Sequence, residues 1–212
     1  LHVHTHYSVL DGQSKVKYLV DKAVKDGMKG MAITDHGVMY GIKEFADYCA
    51  KINKSRKKNS EEIFKPIFGC EMYVAKHHKE DKDKDEGDNT RYHLIVLAKN
   101  YQGYKNLIKL VSRSWTDGYY YKPRTDRYDL EQYREGLIVS SACIGGEVPS
   151  KVLTGDIAGA REAVEWYHRI FGDDYYLEIQ RHEVTDPSLR ANRETFELEQ
   201  QANKVLMDFA QE

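Results

Sequence analysis

The residues of this chain best suited to chemistry begin at its second position, with His2, His4 and His6 alternating in Leu1-His2-Val3-His4-Thr5-His6. Alternate side chains of an extended segment share a face, so His2 and His4 project to one side. Neutral imidazole is the commonest metal ligand, although an isolated His-x-His also occurs on surfaces and in cores without any ion. His6 has the same parity but stands where the chain turns, and is read as support for a neighbouring imidazole. Asp11, in Val9-Leu10-Asp11-Gly12, either swings back over the strand end as an oxygen ligand or caps the helix that follows. The pattern then recurs along the chain. His36 lies in Thr34-Asp35-His36-Gly37, Glu71 in Gly69-Cys70-Glu71-Met72-Tyr73, His93 in Tyr92-His93-Leu94 and Cys143 in Ser141-Ala142-Cys143. Each alone has an ordinary structural explanation. An ordered series of ligand-type residues at successive strand ends is how parallel barrels assemble an active site.

Imidazole, carboxylate and one thiolate together suit Zn, Mn or Fe better than Ca or Mg alone. More than four ligands imply more than one ion, and paired ions about 3.5–4 Å apart hold both the attacking hydroxide and the leaving oxygen of an in-line phosphoryl displacement. Phosphoester hydrolysis is the chemistry this set predicts. No phosphate-binding Walker loop, His-Glu-x-x-His zinc motif or nucleophile elbow competes with it.

The elements that must position these residues follow from periodicity. Val16, Leu19, Val20, Ala23 and Val24 have helical spacing, and the apolar run from Gly30 to Thr34 reads as a buried strand. Further strands are expected over 64–74, 92–98, 137–141 and 175–180, with helices over 41–53, 104–113 and 158–171 and from residue 188. Repeated strand–helix units indicate a largely parallel sheet in one domain spanning 1–212. Two stretches break the rhythm. Residues 76–91 are almost devoid of apolar side chains and read as a solvated excursion. Residues 112–128 interleave Arg113, Trp115, Tyr119, Tyr120, Tyr121, Lys122, Arg124 and Arg127. That mixture of rings and cations either holds single-stranded nucleic acid or simply packs a long loop.

With 212 residues, 41% hydrophobic and a formal charge of −2, the chain is a globular one without the global charge that binds polyanions unaided. Cys49, Cys70 and Cys143 are odd in number and form no Cys-x-x-Cys pair, which disfavours disulfides and zinc fingers. No apolar run approaches a membrane span and no signal peptide is visible, so a cytoplasmic protein with no membrane partner is expected. A start at Leu1 rather than Met suggests an excised piece.

His2-Val3-His4, Ser8-Val9-Leu10-Asp11-Gly12, Thr34-Asp35-His36-Gly37, Gly69 to Val74 and Tyr92-His93-Leu94 resemble the successive motifs of the polymerase and histidinol phosphatase (PHP) family. Tyr101 to Leu107, Lys122-Pro123-Arg124, Glu135 to Ile138 and Tyr176 to Gln180 resemble its polymerase branch, the amino-terminal domain of bacterial replicative polymerase alpha subunits. The resemblance implies a distorted (β/α)7 TIM-like barrel with up to three divalent metals, Zn and/or Mn, and in some members 3′–5′ exonuclease activity on DNA. Carried over position by position, the metal ligands are His2, His4, Asp11, His36, Glu71, His93 and Cys143. Asp35 orients an imidazole, and Tyr7, Lys122, Arg124 and His182 contact the phosphate chain or the substrate end.

The chain departs from the family at its end. The last family motif, Asn-Asp-x-His, supplies two more ligands and is not reached before Glu212. The expectation is a C-terminally truncated barrel with an open edge and partial metal occupancy. Three functions follow: a nuclease acting on a single-stranded 3′ end, a metal-stabilised scaffold that docks a proofreading exonuclease or other replisome subunits beside the rest of the alpha subunit, and a histidinol-phosphatase-like small-molecule enzyme. The polymerase-branch segments weigh against the third.

Overall fold

The computed structural model describes residues 1–186 and 188–212. They form a mixed α/β fold whose internal contacts divide into two compact units. The first comprises 1–91 and 95–137, and the second 92–94 and 138–212.

In the first unit the elements run α1 (Val16–Lys25), β1 (Gly30–Ile33), α2 (Ile42–Lys58), β2 (Lys65–Ala75), the greater part of β3 (Arg91–Ala98), α3 (Tyr101–Thr116), β4 (Tyr119–Tyr120), β5 (Lys122–Thr125) and α4 (Arg127–Gln132). β2 is the hub. It is long enough to pair in parallel with β1 along Lys65–Phe68 and, further on, with β5 at Tyr73 and Val74. β4 folds back antiparallel on β5. The apolar stripes of α1 and α2 meet β1 in a core of Val16, Val20, Ile33, Phe45, Cys49 and Phe64. Burying a side chain of this size contributes about 1.5–3 kcal/mol, so this cluster sets the frame on which the strand ends sit. Asn100 and Asp126 cap α3 and α4 by accepting from the amides of Gly103 and Asp129, each at 2.9 Å.

The second unit contains β6 (Leu137–Ser140, shared at its first residue), α5 (Glu147–Leu153), α6 (Ile157–Phe171), a 3₁₀ turn (Gly172–Asp174), β7 (Tyr175–Tyr176) and α7 (Arg190–Gln211). β6 and β7 pair in parallel. Val148, Val152, Ala160, Ala163, Leu206 and Phe209 join α5, α6 and α7 in a separate core. Among the described residues the strands of neither unit close on themselves into a barrel.

Three sequence expectations need correction. β7 ends at Tyr176 instead of reaching 180, because the Ser141 hydroxyl takes the Glu178 amide at 2.8 Å and Ala142 turns left-handed at φ 58°. Residues 112–128 are not one long loop but the end of α3 followed by β4, β5 and the first residues of α4. Residues 76–91 are not simply solvated, since Lys79 and Asp88 are buried. Lys79 faces Glu80, Asp129 and Asp126 at 2.9, 3.3 and 3.7 Å.

Candidate metal centre

The strand pairing that holds the first unit together also builds its polar centre. Beyond the last β1–β2 pair, the ladder continues through the Glu71 amide to the Asp35 carbonyl (3.1 Å) and the Gly37 amide to the Glu71 carbonyl (2.9 Å), which sets His36 opposite Glu71. Residues 1–5 are not a regular strand, but Val3 is tied to Thr34 by both its amide, to the hydroxyl at 2.9 Å, and its carbonyl, to the amide at 2.8 Å. His2 and His4, on either side of Val3, thus reach the same carboxylate. Glu71, 1% exposed, meets His2 Nε2 at 3.4 Å, His4 Nε2 at 2.9 Å and His36 Nδ1 at 2.8 Å. His36 Nε2 reaches Asp11 at 2.8 Å, and the His4 and His36 rings stack at 4.1 Å.

Asp11 arrives by a tight reversal. The amides of Asp11 and Gly12 donate to the Ser8 carbonyl at 3.0 and 2.8 Å. A Cβ on Gly12 would fall 1.9 Å from the Thr5 carbonyl oxygen, so only glycine closes this turn. The alternative role of Asp11 is excluded: the residue before α1 is Lys15, with no side-chain cap. A second glycine, Gly37, turns at φ 63°, and its carbonyl accepts the Trp115 indole N–H at 2.8 Å.

Asp35 does not touch an imidazole. It is buried and accepts from the Thr5 amide (2.7 Å), the Thr5 hydroxyl and the Ser8 hydroxyl (2.8 Å). Ser8 Oγ lies 2.9 Å from His4 Nδ1 and accepts the His36 amide at 3.1 Å. Ser8 therefore links Asp35 to two of the histidines, a part that sequence reasoning overlooked; the signal available was a buried-type hydroxyl three residues ahead of Asp11. Tyr73 was also missed. Its ring stacks 5.8 Å from His36, and burial together with the Glu71 charge pushes its hydroxyl up to about 12.

Three imidazoles and two carboxylates converge with their ligand atoms close together, within 4.8 Å in each of the sets His2–His4–Glu71 and His4–Asp11–His36. The nitrogen and carboxylate donor set fits a borderline divalent cation, and the hydroxyl and carboxylate behind His4 supply the orienting bonds such ligands require.

His93 and Cys143 lie together in the second unit. Cys143 Sγ is 3.6 Å from His93 Nδ1 and accepts the Gly145 amide at 3.4 Å, while the His93 amide donates to the Gly145 carbonyl at 2.9 Å. His182 is also in this unit, its amide and ring bonded to the buried carboxylate of Glu199. In the first unit, Tyr7 packs beside the α1–α2 core and donates to Glu44 at 3.0 Å. Lys122 is exposed and sits 5.6 Å over the Tyr73 ring, placing a cation one ring away from His36.

Arg124 is the clear departure from expectation. It is 0% exposed, and its guanidinium donates to the carbonyls of Gly118 (3.1 Å), Asp88 (2.5 Å), Lys79 (2.6 Å) and Asp81 (2.8 Å). A planar fork with five donors suits this clamp. Its cationic group secures the 76–91 excursion and is not presented to a phosphate chain.

Comparison with known proteins agrees with the geometry. The family model described as the PHP domain matches residues 1–182. The DNA polymerase III subunit alpha of Borreliella burgdorferi is 46% identical over 89% of this chain and 16% of its own length. Those of Treponema pallidum and Chlamydia pneumoniae are 43% and 39% identical over 86% and 92% of this chain. The chain spans only 15–16% of the length of these relatives. No described helix is long and apolar enough to cross a membrane.

Proposed function

The chain belongs to the PHP domain family, and from that premise we propose that it is the amino-terminal PHP part of a DNA polymerase III alpha subunit, with a metal site that hydrolyses the terminal phosphodiester of a single-stranded DNA 3′ end. The observation that carries this reading is the convergence of His2, His4 and His36 on the buried carboxylate of Glu71, with Asp11 completing the set.

In this proposal His2, His4, His36, Glu71 and Asp11 hold divalent ions, Zn or Mn by donor type, and His93 and Cys143 are further ligands. Ions held there would activate water and offset charge on the phosphoryl oxygens. The chain's own residues do the rest. Asp35 and Ser8 fix the His4 ring, so that its Nε2 faces Glu71 and not solvent. Lys122, one ring from His36, attracts the phosphate chain. Polymerase activity, replisome partners including a proofreading exonuclease, and cytoplasmic location belong to the same proposal, supported by the likeness to polymerase alpha subunits.

The test is metal content by elemental analysis, run with hydrolysis of 3′-labelled single-stranded DNA. Bound metal and nuclease activity, both lost in His4→Ala, are the expected result. Bound metal with no hydrolysis of DNA under any metal loading would reject the nuclease reading and leave a metal-stabilised scaffold.

A further inference from the structure

Beside the metal centre, α2 and α3 of the first unit enclose a groove of about 470 Å³ that the hydrolytic reading does not use. Its floor is apolar, with Phe68 and Val111, and its walls carry the rings of Tyr40, Tyr104 and Trp115. Among the described lining residues Lys43 is the sole charged side chain, and it pairs with Asp47 one turn along α2.

The groove begins at Val38, two residues after His36. Consecutive Cα atoms are 3.8 Å apart, so this end lies within about 7.6 Å of the His36 Cα. Trp115 connects the two places physically: it lines the groove and its indole N–H holds the Gly37 carbonyl. It is 44% exposed and stacks at 5.6 Å on Tyr119, itself 49% exposed, which extends a ledge of rings outward. The volume lies within the roughly 300–1,000 Å³ of small-molecule sites. Flat rings over an apolar floor suit a planar aromatic group, and nucleobases stack on such rings regardless of sequence.

We infer that this groove is the base subsite of the same centre, receiving the nucleobase of the nucleotide whose phosphate lies at the His2–His4–His36–Glu71 cluster. The inference rests on the proposed action on a DNA 3′ end. Trp115 is the stacking ring, and through Gly37 it also positions the turn that follows His36.

The test uses binding, so that it does not depend on turnover. The probes are a thymidine octanucleotide with phosphorothioate linkages and the same octamer with an abasic 3′-terminal residue. The chain has two tryptophans, so Trp166→Phe leaves Trp115 as the sole indole reporter. The expected result is quenching of Trp115 by the octamer and about ten-fold weaker binding of the abasic probe, the loss typical of one stacked base. Ala46→Phe, which fills the groove from α2, should bring the octamer down to the abasic level. Tyr40→Ala, at an exposed position, removes a wall ring without disturbing the core and should do the same in part. Trp115→Phe, which keeps a ring, should retain base discrimination and Trp115→Leu should lose it, both read by the anisotropy of fluorescently labelled octamers because these variants lack the indole reporter. Equal affinity for both probes would overturn the subsite while leaving the hydrolytic reading intact. Discrimination that survives Ala46→Phe and Tyr40→Ala would place the base elsewhere, freeing the groove for a protein partner. If neither probe binds, the DNA reading falls with the subsite.

Discussion

Replacing Asp35 with Asn tests whether the bonds behind the histidines set the centre. The native carboxylate accepts from the Thr5 amide at 2.7 Å, from the Ser8 hydroxyl at 2.8 Å and from the Thr5 hydroxyl at 3.0 and 2.8 Å on its two oxygens. Asparagine keeps the volume and one oxygen, so the amide of Thr5 and the hydroxyl of Ser8 remain bonded, now to a neutral acceptor. Hydrogen bonds to a charged partner contribute about 1.5–3 kcal/mol against about 0.5–1.5 for neutral ones. Two weakened bonds therefore cost about 2 kcal/mol. At about 2–4 °C per kcal/mol for a chain of this size, the melting temperature should fall by about 4–8 °C. Because Ser8 also meets His4 Nδ1 and the His36 amide, metal affinity should drop about 10- to 100-fold, the range for outer partners of metal-ligating histidines. Thermal melts in chelator isolate the first effect, and zinc or manganese titration measures the second. A variant that loses stability but binds metal as tightly as the parent would refute the link through Ser8.

Lys122 and Arg124 should behave oppositely despite their proximity. Lys122→Ala should lower the salt dependence of single-stranded DNA binding by about 0.7 in slope, one phosphate contact, with stability unchanged within about 0.5 kcal/mol. Arg124→Met leaves carbonyls of the 76–91 segment without their donor, at about 1–3 kcal/mol for each unsatisfied acceptor, and should cost about 3–5 kcal/mol in urea denaturation, with the salt slope unaltered. Tyr48 donates to Asp21 at 2.7 Å, and this bond, with burial, raises its ionisation to about 12. The unfolded chain ionises this group near 10, so the contribution is complete below pH 10 and is lost as pH rises through about 12. Tyr48→Phe should remove that part of the alkaline loss, as measured by denaturation between pH 9 and 12.

The elements around the first core were readable because helices and strands announce themselves by period. α1, β1, β2 and β3 fall close to where the apolar spacing puts them, and α2 and α3 run a few residues past it. Short elements such as β4, β5, α4 and α5 are too brief to show a period. β7 looked longer than it is, because a serine hydroxyl competing for a backbone amide leaves no trace in hydropathy. The candidate ligand types and their order along the chain could likewise be read from the sequence, since imidazole and carboxylate recurring in short motifs stand out against an apolar background.

What the amino acids alone determined is therefore the inventory: which side chains have metal-binding chemistry and which segments have the period to carry them. Tertiary structure decided who meets whom. His4 reaches Glu71 across 67 positions only because Val3 docks on Thr34 and the β1–β2 register sets His36 opposite Glu71. Ser8 became the link to Asp35, and Trp115 the anchor of Gly37, through contacts with no local signature. Lys122 and Arg124 show the limit most directly. Both are cations in one short strand, yet one faces solvent and the other is buried, because three carbonyls of the remote 76–91 segment, with that of nearby Gly118, satisfy a guanidinium that the sequence presents simply as charge. Burial of a polar group depends on the partners that folding brings to it, and those partners are not neighbours in the chain.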